Sequence, residues 1–388
     1  MNTHFFNALL ENHNSFKAVN LSGLRIKHAA LQEKITALSA EESLECKLLG
    51  KSNQERDIYR VKLGSGKKHI CIFSQMHGNE STGTRVIFDL LNFFLQKKIF
   101  QPEIEEIRNN CTLHFIPMVN PDGAENFSRY NAFGTDINRD AEALQTVEGK
   151  LLMACLLQIR PDYVYSLHDQ PSHYAVADSL KPVAFSFLAP AYEPQKLYNN
   201  NRTSAAERIV SMADSLKQEL PGQIAKYSDD YMPNAYGDML QKEGFASVLI
   251  ETGHQFGDPQ KEGLRAQHFA FLVNELLLQA RDCVPDKAIE KYEAVSYMKK
   301  EHYFDILIRN LRIERYGNTQ KADVGIERKF LRSANRFTVK SIGDLSRKAG
   351  YVEIDGGEKI IEIPVELEKD ATGIMKLFRE KIPGHVID

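Results

Sequence analysis

No apolar run in these 388 residues is long enough to cross a bilayer. The opening, MNTHFFNALLENHNSFK, lacks both the basic start and the apolar stretch of a secretory leader. Cysteine is sparse: Cys46, Cys71, Cys111, Cys155 and Cys283 are scattered, odd in number and never spaced CxxC. That argues against a disulfide framework or a thiolate zinc site. Three of the five lie in apolar segments, where a cysteine acts as a small hydrophobe. A reducing cytoplasm is the expected setting. Charge of one sign is also lacking. The net charge of −3 gives no global attraction to nucleic acid or to an anionic membrane. Internal repeats and low-complexity tracts are absent as well.

What is present is ordinary globular composition, 43% hydrophobic and 26% charged, in a chain long enough for a main domain and a smaller one. The stretch up to about Leu49 predicts helix. Asp57–Leu63 alternates, turns through Gly64-Ser65-Gly66 and returns as His69–Phe73, which predicts a hairpin feeding an inner strand. A helix follows from about Ser81, with Val86, Leu90 and Phe93 on one face. Thr112–Val119 predicts a strand stopped by Asn120-Pro121-Asp122-Gly123. Ala141–Ile159 predicts a helix ended by Pro161, and Tyr163–Leu167 a strand. Beyond these, Val183–Leu188 reads as a strand, Ser204–Leu220 as a helix, Phe245–Ile250 as a strand and Pro259–Ala280 as a long helix.

This alternation predicts an α/β fold with a mixed, largely parallel sheet flanked by helices. After about Val284 the texture changes. Between Lys291 and Gly350 there are 14 Lys or Arg against 7 Asp or Glu. Short alternating pieces, Arg336–Lys340 and Lys359–Ile363, predict a small β-rich appendage. The expected division is therefore 1–283 and 284–388. The basic segment has no interleaved aromatics or recognised motif, so a nucleic-acid arm is not expected.

Four polar clusters directly follow predicted strands: His77 with Glu80, Asn120 with Asp122, His168 with Asp169, and Glu251. In open α/β sheets, ligands bind outside the carboxyl ends of the strands, where the loops converge. Two imidazoles and a carboxylate form a zinc donor set that leaves one tetrahedral position open, as hydrolysis requires. Each cluster alone has a plainer explanation. HxxE is a common polar turn, His168 a satisfied buried histidine and Glu251 a solvated strand end. Their coincidence at one sheet edge favours a site.

The motifs His77-Gly78-Asn79-Glu80, Asn120-Pro121-Asp122-Gly123, Arg129, Gly134-Thr135-Asp136-Ile137-Asn138-Arg139, Ser166-Leu167-His168 and Glu251 occur in that order. In this order the chain resembles the zinc carboxypeptidases, peptidase family M14, over roughly Asp57–Gln279. The resemblance implies one zinc per chain on His77, Glu80 and His168, with Asp136 orienting a zinc histidine. It implies Glu251 as the general base and Arg129 as the cation facing the developing oxyanion. It further implies that Asn138 and Arg139 grip the substrate's terminal carboxylate. A tyrosine should close over the substrate: Tyr231 is best placed, with Tyr227 and Tyr236 competing.

Two departures are visible. Asp140 stands where pancreatic members carry asparagine, and the chain continues for 137 residues beyond Glu251. The expected activity is a metallocarboxypeptidase acting on small peptides. The alternative is an N-acyl amino acid deacylase similar to succinylglutamate desuccinylase and aspartoacylase, which share this core and carry an added C-terminal β-domain.

Overall fold

A computed structural model describes residues 3–330, 335–357, 359–362 and 371–382. The strands are β1 Leu44–Lys51, β2 Asp57–Leu63, β3 Lys68–Ser74, β4 Cys111–Ile116, β5 Tyr163–Asp169, β6 Ala175–Val176, β7 Phe185–Leu188, β8 Ile224–Lys226 and β9 Ala246–Thr252. After these come β10 Met298–Lys299, β11 Tyr303–Arg315, β12 Asn318–Phe330, β13 Asn335–Gly343, β14 Ala349–Asp355 and β15 Ile360–Glu362. The main sheet has the order β1-β2-β4-β3-β5-β9-β7-β8. Its centre, β4-β3-β5-β9, is parallel; β1 is antiparallel to β2, β2 to β4 and β7 to β9, while β8 runs parallel to β7, so the mixed α/β class holds.

Strand periodicity divides the core into two layers. Ile70 and Ile72 of β3, with Tyr165 and Leu167 of β5, face the layer under the helices Thr82–Leu95, Asn200–Leu216 and Glu262–Ala280. Cys71 and Phe73, with Val164, face the opposite layer beneath Val147–Ile159 and Tyr236–Lys242. A sheet covered on both faces reads as nearly continuous apolar runs, as β3 and β4 do.

The expected hairpin between β2 and β3 does not form, because β4 lies between them. The Gly64-Ser65-Gly66 linker docks on the start of β4 instead of closing a tight turn. Ser65 N–H donates to Arg108 O, Gly66 N–H to Cys111 O, and Thr112 Oγ1 to Gly66 O. A Cβ on Gly66 would lie 1.9 Å from the Asn110 carbonyl carbon, so glycine is required there. The opening stretch is also not wholly helical. Helices Thr3–Asn12 and His28–Leu38 are followed by β1. The helix expected from Ala141 begins only at Val147, where Thr146 Oγ1 accepts from Gly149 N–H.

The N-terminal segment is fastened to the core by a buried charge cluster. Arg265 donates from Nε and Nη2 to the two oxygens of Asp89 at 2.7 Å each, and from Nη1 and Nη2 to the carbonyls of Leu21 and Ala18. Asp89 also accepts from Ala18 N–H and pairs with His13. Burial disfavours the Asp89 charge, yet the bonds from His13 and Arg265 outweigh it and lower its pKa from 3.8. This carboxylate therefore stabilises the fold above its unfolded pKa, and the contribution is lost as pH falls through the lowered folded value. Asp89→Asn takes from the buried Arg265 its two-pronged carboxylate and leaves Glu262, at 3.5 Å and partly exposed, as the weaker partner, so the expected cost is about 3 kcal/mol. A urea unfolding midpoint equal to that of the unsubstituted protein would contradict this.

The C-terminal strands form a second sheet, β13-β12-β11-β14, with β15 also beside β11, and its strands carry both Arg336–Lys340 and Ile360–Glu362. Ile363, the last residue of that expected piece, lies outside the described residues. The sheet rests on the segment between β5 and β7. Ser172 Oγ donates to Asp305, Tyr351 OH to Ser172 O, Tyr303 OH to Leu180 O, and β10 pairs with β6. Phe256 packs against Tyr303 and Tyr351 at the same junction. Among the described residues, no helix is long and apolar enough to cross a membrane.

Candidate active site

Two glycine-bearing turns pack against each other beside the site. Gly78, between His77 and Glu80, packs so tightly on Gly123 that a Cβ would lie 1.9 Å from its carbonyl carbon. Asn120 Oδ1 accepts from Gly123 N–H, and its Nδ2 donates to Met76 O, next to His77. Gln75, itself in the left-handed region, donates to Gly78 O. Asn120 and Asp122 are thus not ligand candidates. Asp122 is fully buried and accepts from Ser52, Gln54 and Arg56, tying the second turn to the β1–β2 connection.

The other two strand-end clusters meet the first. β5 and β9 run parallel, with His168 directly opposite Glu251, so both side chains leave the same face of the sheet. His77, Glu80 and His168 are buried, and their ligating atoms lie within 4.8 Å of one another. His77 Nδ1 is 2.8 Å from Glu80 Oε1, His168 Nδ1 is 2.8 Å from Glu80 Oε2, and the two Nδ1 atoms are 3.2 Å apart. The far ring nitrogens are engaged elsewhere. His77 Nε2 lies 3.2 Å from Asp136 Oδ1, and His168 Nε2 lies 2.9 Å from Ser166 Oγ. Both His77 nitrogens face carboxylates, which can only accept; with a cation held in the set, Nε2–H would donate to Asp136 and leave the Nδ1 lone pair for the ion. Two inward imidazole nitrogens and one carboxylate, buried and held from behind, fit a zinc ion with an open coordination position.

Asp136 fastens two groups. Besides His77 it accepts from Arg129 Nε at 2.9 Å, while its Oδ1 caps the turn Ile137–Arg139 through Asn138 N–H. Burial opposes its charge, but the hydrogen bond and charge of His77, reinforced by Arg129, hold the carboxyl well below its usual range. Glu80 likewise stays ionised against burial, through the charges and hydrogen bonds of His77 and His168. Burial works against a charge on His77, whereas Glu80 and Asp136 raise its basicity. Arg129 reaches inward, with Nη1 at 3.2 Å from His77 Nδ1 and 3.4 Å from Glu80 Oε1.

Glu251 differs from the other acids. Its Oε2 is shut off from solvent and has no hydrogen-bond partner among the described residues. Desolvation pushes its pKa up to about 8; Glu80 and Asp169 add to this, while His168 and Arg129 oppose it.

A cavity of about 540 Å³ joins these groups. His77, Glu80, Arg129, Asn138, Arg139 and Glu251 line it. Asn138 is fixed by accepting from Tyr236 N–H, whereas Arg139 is exposed at the rim. Tyr227, not Tyr231, is the tyrosine of that loop on the cavity wall, and the Tyr236 hydroxyl is buried away from it, near Asp140. The strand pattern carries a signal for Tyr227: it directly follows β8, and its N–H donates to Phe187 O on β7. Four individual wall residues were not named from the sequence. Asp305, Glu327 and Arg328 of the C-terminal sheet line the same cavity, and so does the buried Lys261.

Comparison with known proteins agrees with this arrangement. The zinc carboxypeptidase family model matches residues 32–171. Carboxypeptidase D of Homo sapiens is 27% identical over 108 residues, covering 24% of this chain and 8% of that protein. Carboxypeptidase D of Rattus norvegicus is 26% identical over 234 residues, covering 54% of this chain and 16% of that protein. The matched region is thus a minor part of these relatives' length. Among solved structures, carboxypeptidase A from Helicoverpa armigera has a TM-score of 0.51 over 66% of this chain and 74% of that one, at 13% identity, which is a likeness of fold. Residues 32–171 thus match the zinc carboxypeptidase family model, and the main sheet shares the fold of the Helicoverpa armigera structure.

Proposed function

We propose that the protein is a zinc metallocarboxypeptidase that removes the C-terminal residue of short peptides. The observation that carries this is the buried set His77, Glu80 and His168 beside a cavity whose wall includes His77, Glu80, Glu251, Arg129 and Arg139. One zinc per chain, when bound to that set, would supply Lewis-acid polarisation of the scissile carbonyl and acidify water. Glu251 accepts the proton of the attacking water, whose oxygen bonds to the carbonyl carbon, and delivers that proton to the leaving amine as the C–N bond breaks. Arg129, held by Asp136, stabilises the oxyanion that develops. Asn138 and Arg139 hold the terminal carboxylate, and Tyr227 takes the covering place that the sequence suggested for Tyr231.

The wall residues Asp305, Glu327 and Arg328 favour short substrates, because the C-terminal sheet borders the cavity. The same feature gives the second reading some weight. An N-acyl amino acid has the same amide bond and terminal carboxylate and would occupy less of that cavity. We take 284–388 as the unit that provides this wall. The five free cysteines support a reducing, cytoplasmic setting.

A chromatographic assay of free-acid peptides of increasing length, their C-terminal amides and N-acyl amino acids tests the proposal. Short free-acid peptides should be cleaved, their amides should resist, and Arg139→Ala should weaken substrate binding by about 1.5–3 kcal/mol, roughly tenfold or more in KM. Indifference to amidation would count against carboxylate recognition, and turnover confined to N-acyl amino acids would select the second reading.

A further inference from the structure

We propose that Lys261 is a positioning residue that fixes the separation between the metal-ligand set and the general base. Its ammonium is buried at the start of the helix Glu262–Ala280. Nζ donates to Thr252 O at 2.9 Å and lies 3.2 Å from Asp169 Oδ1. Thr252 follows Glu251 on β9, and Asp169 follows His168 on β5. Asp169 extends the connection: its Oδ2 accepts from Thr82 N–H, and its own N–H donates to Glu80 Oε2 at 3.2 Å. One cation therefore links the chain beside both strand-borne groups and, through Asp169, the third ligand. It touches no reacting atom in doing so.

The local backbone is built to present this side chain. Lys261 has φ 55° and ψ 33°, the left-handed region, which costs a non-glycine residue of order 1 kcal/mol or more. Capping of the helix is left to Asp258, whose carboxylate accepts from Glu262 N–H and Leu264 N–H. The lysine is thus freed to reach across the strand ends. Replacing it would let β5 and β9 settle differently at their tips, where small displacements of reacting groups are expensive.

This inference rests on the metal reading above, so its test reads the metal environment directly. The full-length protein is loaded with cobalt(II), and its d–d absorption is recorded for the unsubstituted chain, Lys261→Met and Lys261→Arg. Asp89→Asn serves as a control that destabilises the fold through a side chain bonded to no metal ligand, to neither Glu251 nor the Lys261 ammonium. Lys261→Met should shift the cobalt bands, weaken zinc binding ~10–100-fold and lower kcat on the order of 10²-fold with KM within about twofold. Lys261→Arg, which keeps the charge, should recover part of each effect, and Asp89→Asn should leave the bands in place. Should Lys261→Met fail to fold because Asp169 is left unpaired, Lys261→Met/Asp169→Asn removes both charges, and the same spectral shift is expected. A normal cobalt spectrum and kcat in a folded Lys261→Met or double variant would overturn the proposal. Failure of the unsubstituted protein to bind cobalt would overturn the metal reading and this proposal together.

Discussion

Glu251→Gln is expected to keep the fold and the zinc while losing ~10²–10⁴-fold in kcat, the range that a general acid–base group contributes. The substitution is nearly isosteric and falls on a strand whose backbone bonds to β5 are unaffected. What changes is chemistry: an amide cannot take a proton from water and return it to an amine. Glu251 suits that task because the unpartnered Oε2 is not committed to a structural hydrogen bond, unlike Glu80 and Asp136. KM should move little, since the carboxylate grip at Asn138 and Arg139 is untouched. Steady-state kinetics with zinc measured on the same sample make the test. Turnover near the unsubstituted rate would remove Glu251 from the mechanism.

Loss of a ligand should act more completely. His168→Ala removes one of three donors from a site whose remaining groups, His77 and Glu80, cannot hold zinc in a closed arrangement, so metal content and activity should fall together. A chelator should abolish activity in the unsubstituted protein, and added zinc should restore it, whereas His168→Ala should not recover. Elemental analysis decides the matter, and full zinc occupancy in His168→Ala would refute the ligand set. The cavity left by the ring is bordered by Ser166 and Glu80, both polar, so collapse of the strand end is not expected.

The residues that were legible in the sequence share a cause. His77, Glu80, His168 and Glu251 are ligand or base types placed just beyond apolar strands, and sheet architecture brings such positions together. Asn120 and Asp122 satisfied the same pattern and proved structural, because the pattern cannot tell a polar group that faces the cleft from one that locks two turns together. Residue types alone also could not show that β4 separates β2 from β3. That order depends on where the linker docks, which is a long-range matter. Lys261 was hidden for another reason: at a helix start it looks like ordinary surface charge, and only the tertiary fold buries it. Arg328 and its neighbours joined the cavity through sheet-on-loop contacts between segments more than a hundred residues apart, beyond the reach of periodicity. Tyr227 lost to Tyr231 on spacing, although the end of β8 sets its place.

The pairing of His168 opposite Glu251 has a practical consequence for redesign. Adjacent parallel strands are held about 4.8 Å apart by their hydrogen-bond ladder. The gap between ligand and base is therefore inherited from backbone geometry, with Lys261 holding the two strand ends in place, and owes little to the loops that bound the cavity. The segments that bound the cavity, 170–183 and 227–235, lie outside that ladder. Apart from Tyr227 and the anchors Ser172 and Leu180, their residues can be exchanged to accept a different leaving group while the distance on which proton transfer depends stays the same. Specificity and chemistry are thus separable in this molecule, and directed variation aimed at the loops should broaden substrate range at little cost to turnover.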